Sequence, residues 1–182
     1  MAATRAYHHG DLRRVLLGAA AEVIGESGPG ALSLRDLARR AGVSHAAPAH
    51  HFGDKAGLLT ALATQGFDLL ADALRAAGDD LLEIGVAYVG FAVRHRAHFE
   101  VMFRPDLYRA DDAELLAARN RTRRILRGGV ARRTGQDPDV DALAAWSIVH
   151  GFATLWLSGA LPSQVGADPE AAARAVARRL FP

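Results

Sequence analysis

An all-α fold is predicted by three features of the sequence. Strand patterns, in which β-branched residues alternate between turn signals, are nearly absent, because Val, Ile and Thr stand singly among Ala and Leu. Gly and Pro divide the 182 residues into helix-sized pieces. Most of these pieces open on Ser or Asp, whose side-chain oxygen accepts from the free N–H groups of a first helical turn. About nine helices follow.

The first is expected over residues 10–27, where Leu12, Val15, Leu16, Ala19, Ala20, Val23 and Ile24 share one face. That periodicity also answers the one leader-like feature, Arg13-Arg14 ahead of the apolar residues 15–21. The run is too short and too regular for a signal peptide and is read as helix. After the loop Gly28-Pro29-Gly30, helices over 33–40 and 44–51 flank Ala41-Gly42-Val43. Gly42 takes the positive φ at which a helix stops and turns, Leu37 and Val43 supply core contacts, and Ser44 caps the next helix. This is a helix-turn-helix pattern, whose second helix enters the DNA major groove while the first braces it on the backbone. Any αα-hairpin shows such a turn, so the context matters: the first helix supplies the third side of a three-helix core. Asp54-Lys55 then opens a fourth helix, where N–H groups and Lys55 are placed to meet a phosphate.

That fourth helix, 54–76, joins a small basic unit to a larger helical body. Helices are expected in the body over 79–94, 97–103, 111–133, 139–161 and 168–180. Arg119-Asn120-Arg121-Thr122-Arg123-Arg124 and Arg127, in the 111–133 helix, read as a solvated surface spread over more than one face, with partners such as Glu114 or Asp111. Residues 142–167 carry no Asp, Glu, Lys or Arg and are long enough to span a bilayer. Ser147, His150, Thr154 and Ser158 inside the run, and Pro162 ending it, favour instead a helix buried by its own domain and a partner subunit; no membrane association is expected.

Composition sets the outer bounds. Half the residues are apolar and 23% charged, which is globular composition. Cys is absent, so disulfides, Cys-ligated zinc, iron–sulfur clusters and a Cys nucleophile are excluded, and a cytoplasmic location suits the chain. The net charge of +2 is unevenly laid out: residues 1–55 hold seven Arg or Lys against five Asp or Glu, with five of the eight His, while the remainder balances at 15 against 15. The N-terminal third is the candidate for a polyanion partner. His95 and His98 are three apart and His50-His51 adjacent, but no third ligand or His-Glu-x-x-His accompanies them, so no metal is expected. Gly-x-Ser-x-Gly, the Gly-x-x-x-x-Gly-Lys-Ser/Thr loop and a Gly-x-Gly-x-x-Gly after a strand are all missing. No enzyme activity and no cofactor are expected; a helical enzyme or small-molecule carrier without sequence-specific DNA binding is the competing class.

The segment YHHGDLRRVLLGAAAEVIGESGPGALSLRDLARRAGVSHAAPAHHFGDKAGLL, from Tyr7 to about Leu62, resembles the DNA-binding domain of the TetR/AcrR family of transcriptional repressors. Trp146, Val149, His150 and Gly151 resemble the Trp-x-x-Val-His-Gly signature of one C-terminal subgroup, the Trp-His-Gly type. The resemblance implies a homodimer paired through its last two helices, with residues 1–56 as the DNA-binding domain and 57–182 as an effector-binding and dimerisation domain. It implies contacts to a double-stranded operator from Ser33 and Arg35, from Ser44, His45 and Ala46, from His50 and His51, and from Lys55. Arg35, His51 and Lys55 suit phosphates, His45 suits a base edge, and Ala46 a thymine methyl. One position departs from the pattern: where family members commonly carry a phosphate-contacting Tyr, this chain has Ala49.

For the small-molecule effector, an apolar or aromatic site is expected from Phe91, Phe99, Met102, Phe103 and Trp146, with His95, Arg104 and His150 as polar groups near them. Phe91, Phe99, Met102, Phe103 and Trp146 read singly as core packing; only together do they suggest a concave site. His150 reads either as a satisfied core histidine or as a polar anchor for a ligand.

Overall fold

A computed structural model describes residues 9–131 and 137–180. Among them are nine α-helices: α1 (His9–Ser27), α2 (Leu34–Arg40), α3 (Ala47–Phe52), α4 (Lys55–Ala76), α5 (Leu81–Arg94), α6 (Arg96–Met102), α7 (Ala113–Ala131), α8 (Pro138–Leu157) and α9 (Pro169–Leu180). Short 3-10 turns at Pro29–Ala31 and Ser163–Val165 complete the regular structure, and no strand occurs among the described residues. Tyr7 and His8, where the family resemblance begins, and Arg132 and Arg133, at the end of the expected seventh helix, lie outside the described residues.

Aspartate sets most of the helix starts. Asp54 accepts from Gly57 N–H at 2.8 Å, Asp80 from Leu82 at 2.7 Å, Asp112 from Glu114 and Leu115 at 3.0 Å, Asp137 from Asp139 and Val140, and Asp168 from Glu170 at 2.9 Å. Each satisfies donors that a first turn leaves free and places a negative charge on the positive end of the helix dipole. Ser33 makes no such bond and is the N-cap of α2 only as a backbone position. The α8 helix stops four residues earlier than expected. Gly159, at φ 70°, turns the chain, with Gly159 N–H bonding Trp156 C=O and Ala160 N–H bonding Leu155 C=O, which is the Schellman closure.

The α4 helix is the spine. It packs on α1, α3, α5, α6 and α7, while α5 also holds α8 and α9. One continuous core results, from Leu16, Ile24, Leu37 and Phe52 at one end to Leu70, Leu74, Tyr88, Phe91 and Met102 at the other. Gly66 permits a close approach of α6 to α4: a Cβ there would lie 2.5 Å from Met102 Sδ, so a side chain would force Met102 to move.

The α8 helix, uncharged beyond Asp141, is covered only in part by its own chain. It is long and apolar enough to cross a membrane, yet only 11% of its apolar window is buried within the chain. Val140, Leu143 and Leu155 on α8 and Val176 on α9 are 60%, 58%, 47% and 39% exposed.

Candidate functional site

At the N-terminal end, Gly42 adopts φ 67° and lets α2 finish with Val43 N–H on Ala38 C=O at 3.0 Å. The following helix is shorter than the 44–51 expected. Ser44 and His45 lie in a turn, Ala46 is the backbone N-cap, and α3 begins at Ala47. Pro48 is the reason: it lacks an N–H and has a fixed φ, which suits the first turn, and its ring is buried there together with Phe52. Ser44 therefore does not cap α3 through its side chain.

Burial of Pro48 and Phe52 turns the opposite side of this segment outward. Ser44, His45, Ala46, Ala49 and His50 are exposed, and Arg35 is exposed on the first turn of α2. Ser33 and His51 are half-buried, His51 lying beside Phe52 with ring centroids 6.2 Å apart. Lys55 is also half-buried, and its Nζ donates to Gly30 C=O at 3.1 Å, so it ties α4 to the loop before α2. The α4 N-terminus holds the chain's own Asp54 carboxylate, which Gly57 N–H and then the Arg109 guanidinium hold below the usual carboxylate range. Arg40 makes a bidentate pair with Glu26 at 2.9 Å, fastening α2 to α1, and the Arg13 guanidinium lies 5.5 Å from the Phe52 ring centre.

In the body, a cleft of about 720 Å³ opens between α4, α6, α7 and α8. Of the residues expected around a ligand, Met102, Phe103 and Trp146 line it. Phe91, His95, Phe99, Arg104 and His150 do not. Phe91 is fully buried under His95, whose ring stacks on it at 5.2 Å, and Phe99 is buried between Tyr88 and Phe103. Arg104 points outward to Asp106, at 2.9 and 3.1 Å. Grouping by composition brings these residues together, whereas helical phase sends them to different faces.

His150 sits one turn behind Trp146, its ring edge-on to Phe103 at 4.5 Å. Tyr88 Oη, fully buried, accepts from Trp146 Nε1 at 3.1 Å and lies 2.9 Å from His150 Nδ1. Trp146 takes one lone pair of the hydroxyl; when the hydroxyl proton is given to Nδ1, the imidazole carries its own proton on Nε2. Burial lowers the His150 pKa and raises that of Tyr88, so both stay neutral in this network. His150 is half-buried and joined to the core through Tyr88.

The cleft wall that spacing arguments missed belongs to α7. Arg119, Arg123 and Arg127 follow each other at four-residue steps and, with Arg124, face the cleft; Arg121 turns away to pair with Asp68. Part of the signal was present in the sequence: Leu115, Ala118 and Thr122 mark the buried stripe of α7, Arg119 and Arg123 lie beside it, and Arg127 and Arg124 lie farther round the helix. Pro105 and Tyr108, from the loop after α6, close one end, with Tyr108 Oη donating to Met102 C=O at 2.8 Å. Among the described residues no three His, Asp or Glu side chains are grouped as a metal site requires.

Comparison with known proteins gives a consistent result. Residues 16–62 match the family described as bacterial regulatory proteins, tetR family, and residues 81–180 match a tetracyclin repressor-like C-terminal domain. A solved protein of unknown function from Rhodococcus sp. RHA1 is 35% identical over 98% of this chain and 97% of its own, with a TM-score of 0.81. The TetR family transcriptional regulator PfmR from Thermus thermophilus shares the fold at 24% identity, over 91% of this chain and 96% of its own, with a TM-score of 0.69. Mycobacterium smegmatis AmtR shares it at 20% identity, over 100% of this chain and 89% of its own, with a TM-score of 0.65. No curated protein matches the chain.

Proposed function

Because the chain belongs to the TetR family of bacterial regulatory proteins, we propose that it is a cytoplasmic, non-enzymatic transcriptional repressor that binds a palindromic operator as a homodimer and releases it when a small molecule fills the body cleft. The observation that carries this reading is the exposed row of Arg35, Ser44, His45, Ala46 and His50 on a helix-turn-helix whose opposite side is locked into the core by Pro48 and Phe52. Arg35 meets a phosphate and His45, at the leading end of α3, meets a base edge. Ser33 and His51, half-buried, serve the backbone at closer range. Lys55 adds positive charge while bracing Gly30.

Residues 1–56 form the reading unit and 57–182 the effector and dimer unit. The apolar residues that α8 and α9 leave exposed support pairing of two copies through these helices, because a patch of this kind on a single chain marks an association surface. The Trp146–Tyr88–His150 network fits a Trp-His-Gly subgroup whose signature residues are structural: they fix the helix that carries the dimer surface to the core. A ligand that prefers one arrangement of the body shifts the spacing of the two reading heads through α4, the helix common to both units.

Selection of bound sequences from a random duplex library tests the reading. The expected product is a pseudo-palindrome whose half-sites are centred about 10 base pairs, or a multiple, apart. Absence of any enriched sequence would refute the regulator reading, and a single unpaired half-site would refute the dimer.

A further inference from the structure

The cleft carries a charge pattern for which a purely apolar ligand has no use. Arg119, Arg123, Arg124 and Arg127 line it from α7, and Asp139 is the one acidic side chain among the described lining residues. Asp139 is already engaged by Arg127, Nε to Oδ1 at 3.0 Å, and the Arg119 guanidinium rests 6.0 Å from the Phe67 ring centre. Arg123 and Arg124 are exposed on the cleft side and have no ion-pair partner among the described residues. Elsewhere in the body Arg94 pairs with Glu170, Arg121 with Asp68 and Arg174 with Glu83. Like charges at four-residue spacing on a helix repel, so this stripe is unfavourable in the empty protein and is relieved by an anion.

The same cleft is also aromatic, with Phe67, Phe103 and Trp146 in its wall and Arg119 lying against Phe67. A lining that is both cationic and aromatic selects a molecule with both characters. We infer that the cleft takes an amphiphilic anion, a carboxylate or phosphate head on Arg123 and Arg124 with an apolar body against Phe103 and Trp146. Guanidinium groups suit either head, since their planar N–H pairs bind carboxylate and phosphate bidentately. This assignment rests on the cleft being the effector site and sharpens it to one ligand class.

Calorimetry on the full chain with decanoate, decyl phosphate and 1-decanol tests it. At least one anion should bind ten or more times tighter than the alcohol, and its advantage should shrink as salt rises. Whichever anion is tighter identifies the head. In the R123A/R124A double variant the anions should fall to the level of the alcohol, and R123K/R124K, which keeps the charge, should retain most of the preference. Equal binding of alcohol and anions, an unchanged preference in R123A/R124A, or no binding by any of the three would overturn the inference. Operator binding measured without probe on the same samples separates the outcomes. If it persists while the anion preference fails, the ligand class alone is wrong; if it is absent while anions bind, the regulator reading is wrong and the site stands.

Discussion

Arg109 holds Asp54: its Nη2 donates to the Asp54 carboxylate at 2.9 Å, while the Arg109 backbone N–H donates to Thr60 Oγ1 at 3.0 Å. Asp54 is the cap of α4 and lies two residues after Phe52, the anchor of α3. The residue before Arg109 is Tyr108, part of the cleft wall. One short loop therefore touches the cleft with one residue and the base of the reading head with the next. Both partners of the ion pair are more than half exposed, so the pair adds little to stability. Its position matters more than its strength.

If this loop transmits ligand binding, Arg109→Ala should leave the melting temperature within a degree or two of the parent while reducing the factor by which a cleft ligand weakens operator. Coupling factors of ~5–150-fold are usual for such systems, so a drop of severalfold is measurable. Operator titrations with and without decanoate, on parent and variant, give both factors. An undiminished factor would assign transmission to α4 alone.

The dimer surface is tested at Gly151. A Cβ built there meets nothing within 4 Å in the single chain, and glycine inside a helix costs about 0.5–1 kcal/mol relative to alanine. Gly151→Leu should therefore fold at least as well as the parent as a monomer, yet intrude on a partner helix packed across α8. Sedimentation should show dissociation, and binding to a two-half-site operator should fall with it. A variant that remains dimeric with full operator affinity would move the interface off this face of α8.

The elements were largely legible because capping chemistry is local: Asp54 and Asp168 announce their helices within four residues, and Gly42 marks the turn of the helix-turn-helix. The onset of α3 was less so, since Ser44 offers a plausible cap but buried Pro48 decides the first turn. The cleft was not legible in the same way. Its walls come from α4, α6, α7 and α8, and whether Phe99 or Phe103 faces it depends on a few tens of degrees of helix rotation fixed by distant packing. The α7 arginines looked like ordinary solvated charge because a linear run hides the four-residue phase that gathers Arg119, Arg123 and Arg127 on one side.

Acid sensitivity should centre on His98. Burial, with a smaller repulsion from His95, lowers its pKa to about 4, and its Nε2 lies 3.1 Å from Gln65 Oε1 as a donor. Between the ordinary value of 6.5 and about 4, the unfolded chain binds a proton that the folded chain refuses. Stability from this group is therefore complete above about pH 6.5, falls as pH drops through that window and levels off below about 4. His95 and His150, also lowered by burial, act in the same direction. His98→Gln keeps a polar partner near Gln65 without a titrating group. Urea midpoints between about pH 7 and about pH 5 should fall less in this variant than in the parent; parallel falls would place the acid sensitivity elsewhere.

The reading head offers the sharpest contrast between charge, specificity and a missing contact. Arg35→Ala removes the proposed phosphate contact, so it should weaken operator and random DNA alike and lower the salt slope by about one. His45→Ala should change base preference at one position of each half-site with a smaller change in salt slope. Ala49 is exposed one turn of α3 before Gly53, on the segment whose other side Pro48 and Phe52 bury. A tyrosine there has room and would bring a hydroxyl toward the backbone. Ala49→Tyr should tighten operator and non-specific DNA together by roughly 1 kcal/mol per half-site, the net value of an ordinary hydrogen bond. Fluorescence anisotropy with both kinds of duplex at several salt concentrations measures all three variants at once. No gain from Ala49→Tyr would mean that exposed His50 already occupies the phosphate, and His50→Ala should then cost what the tyrosine failed to add.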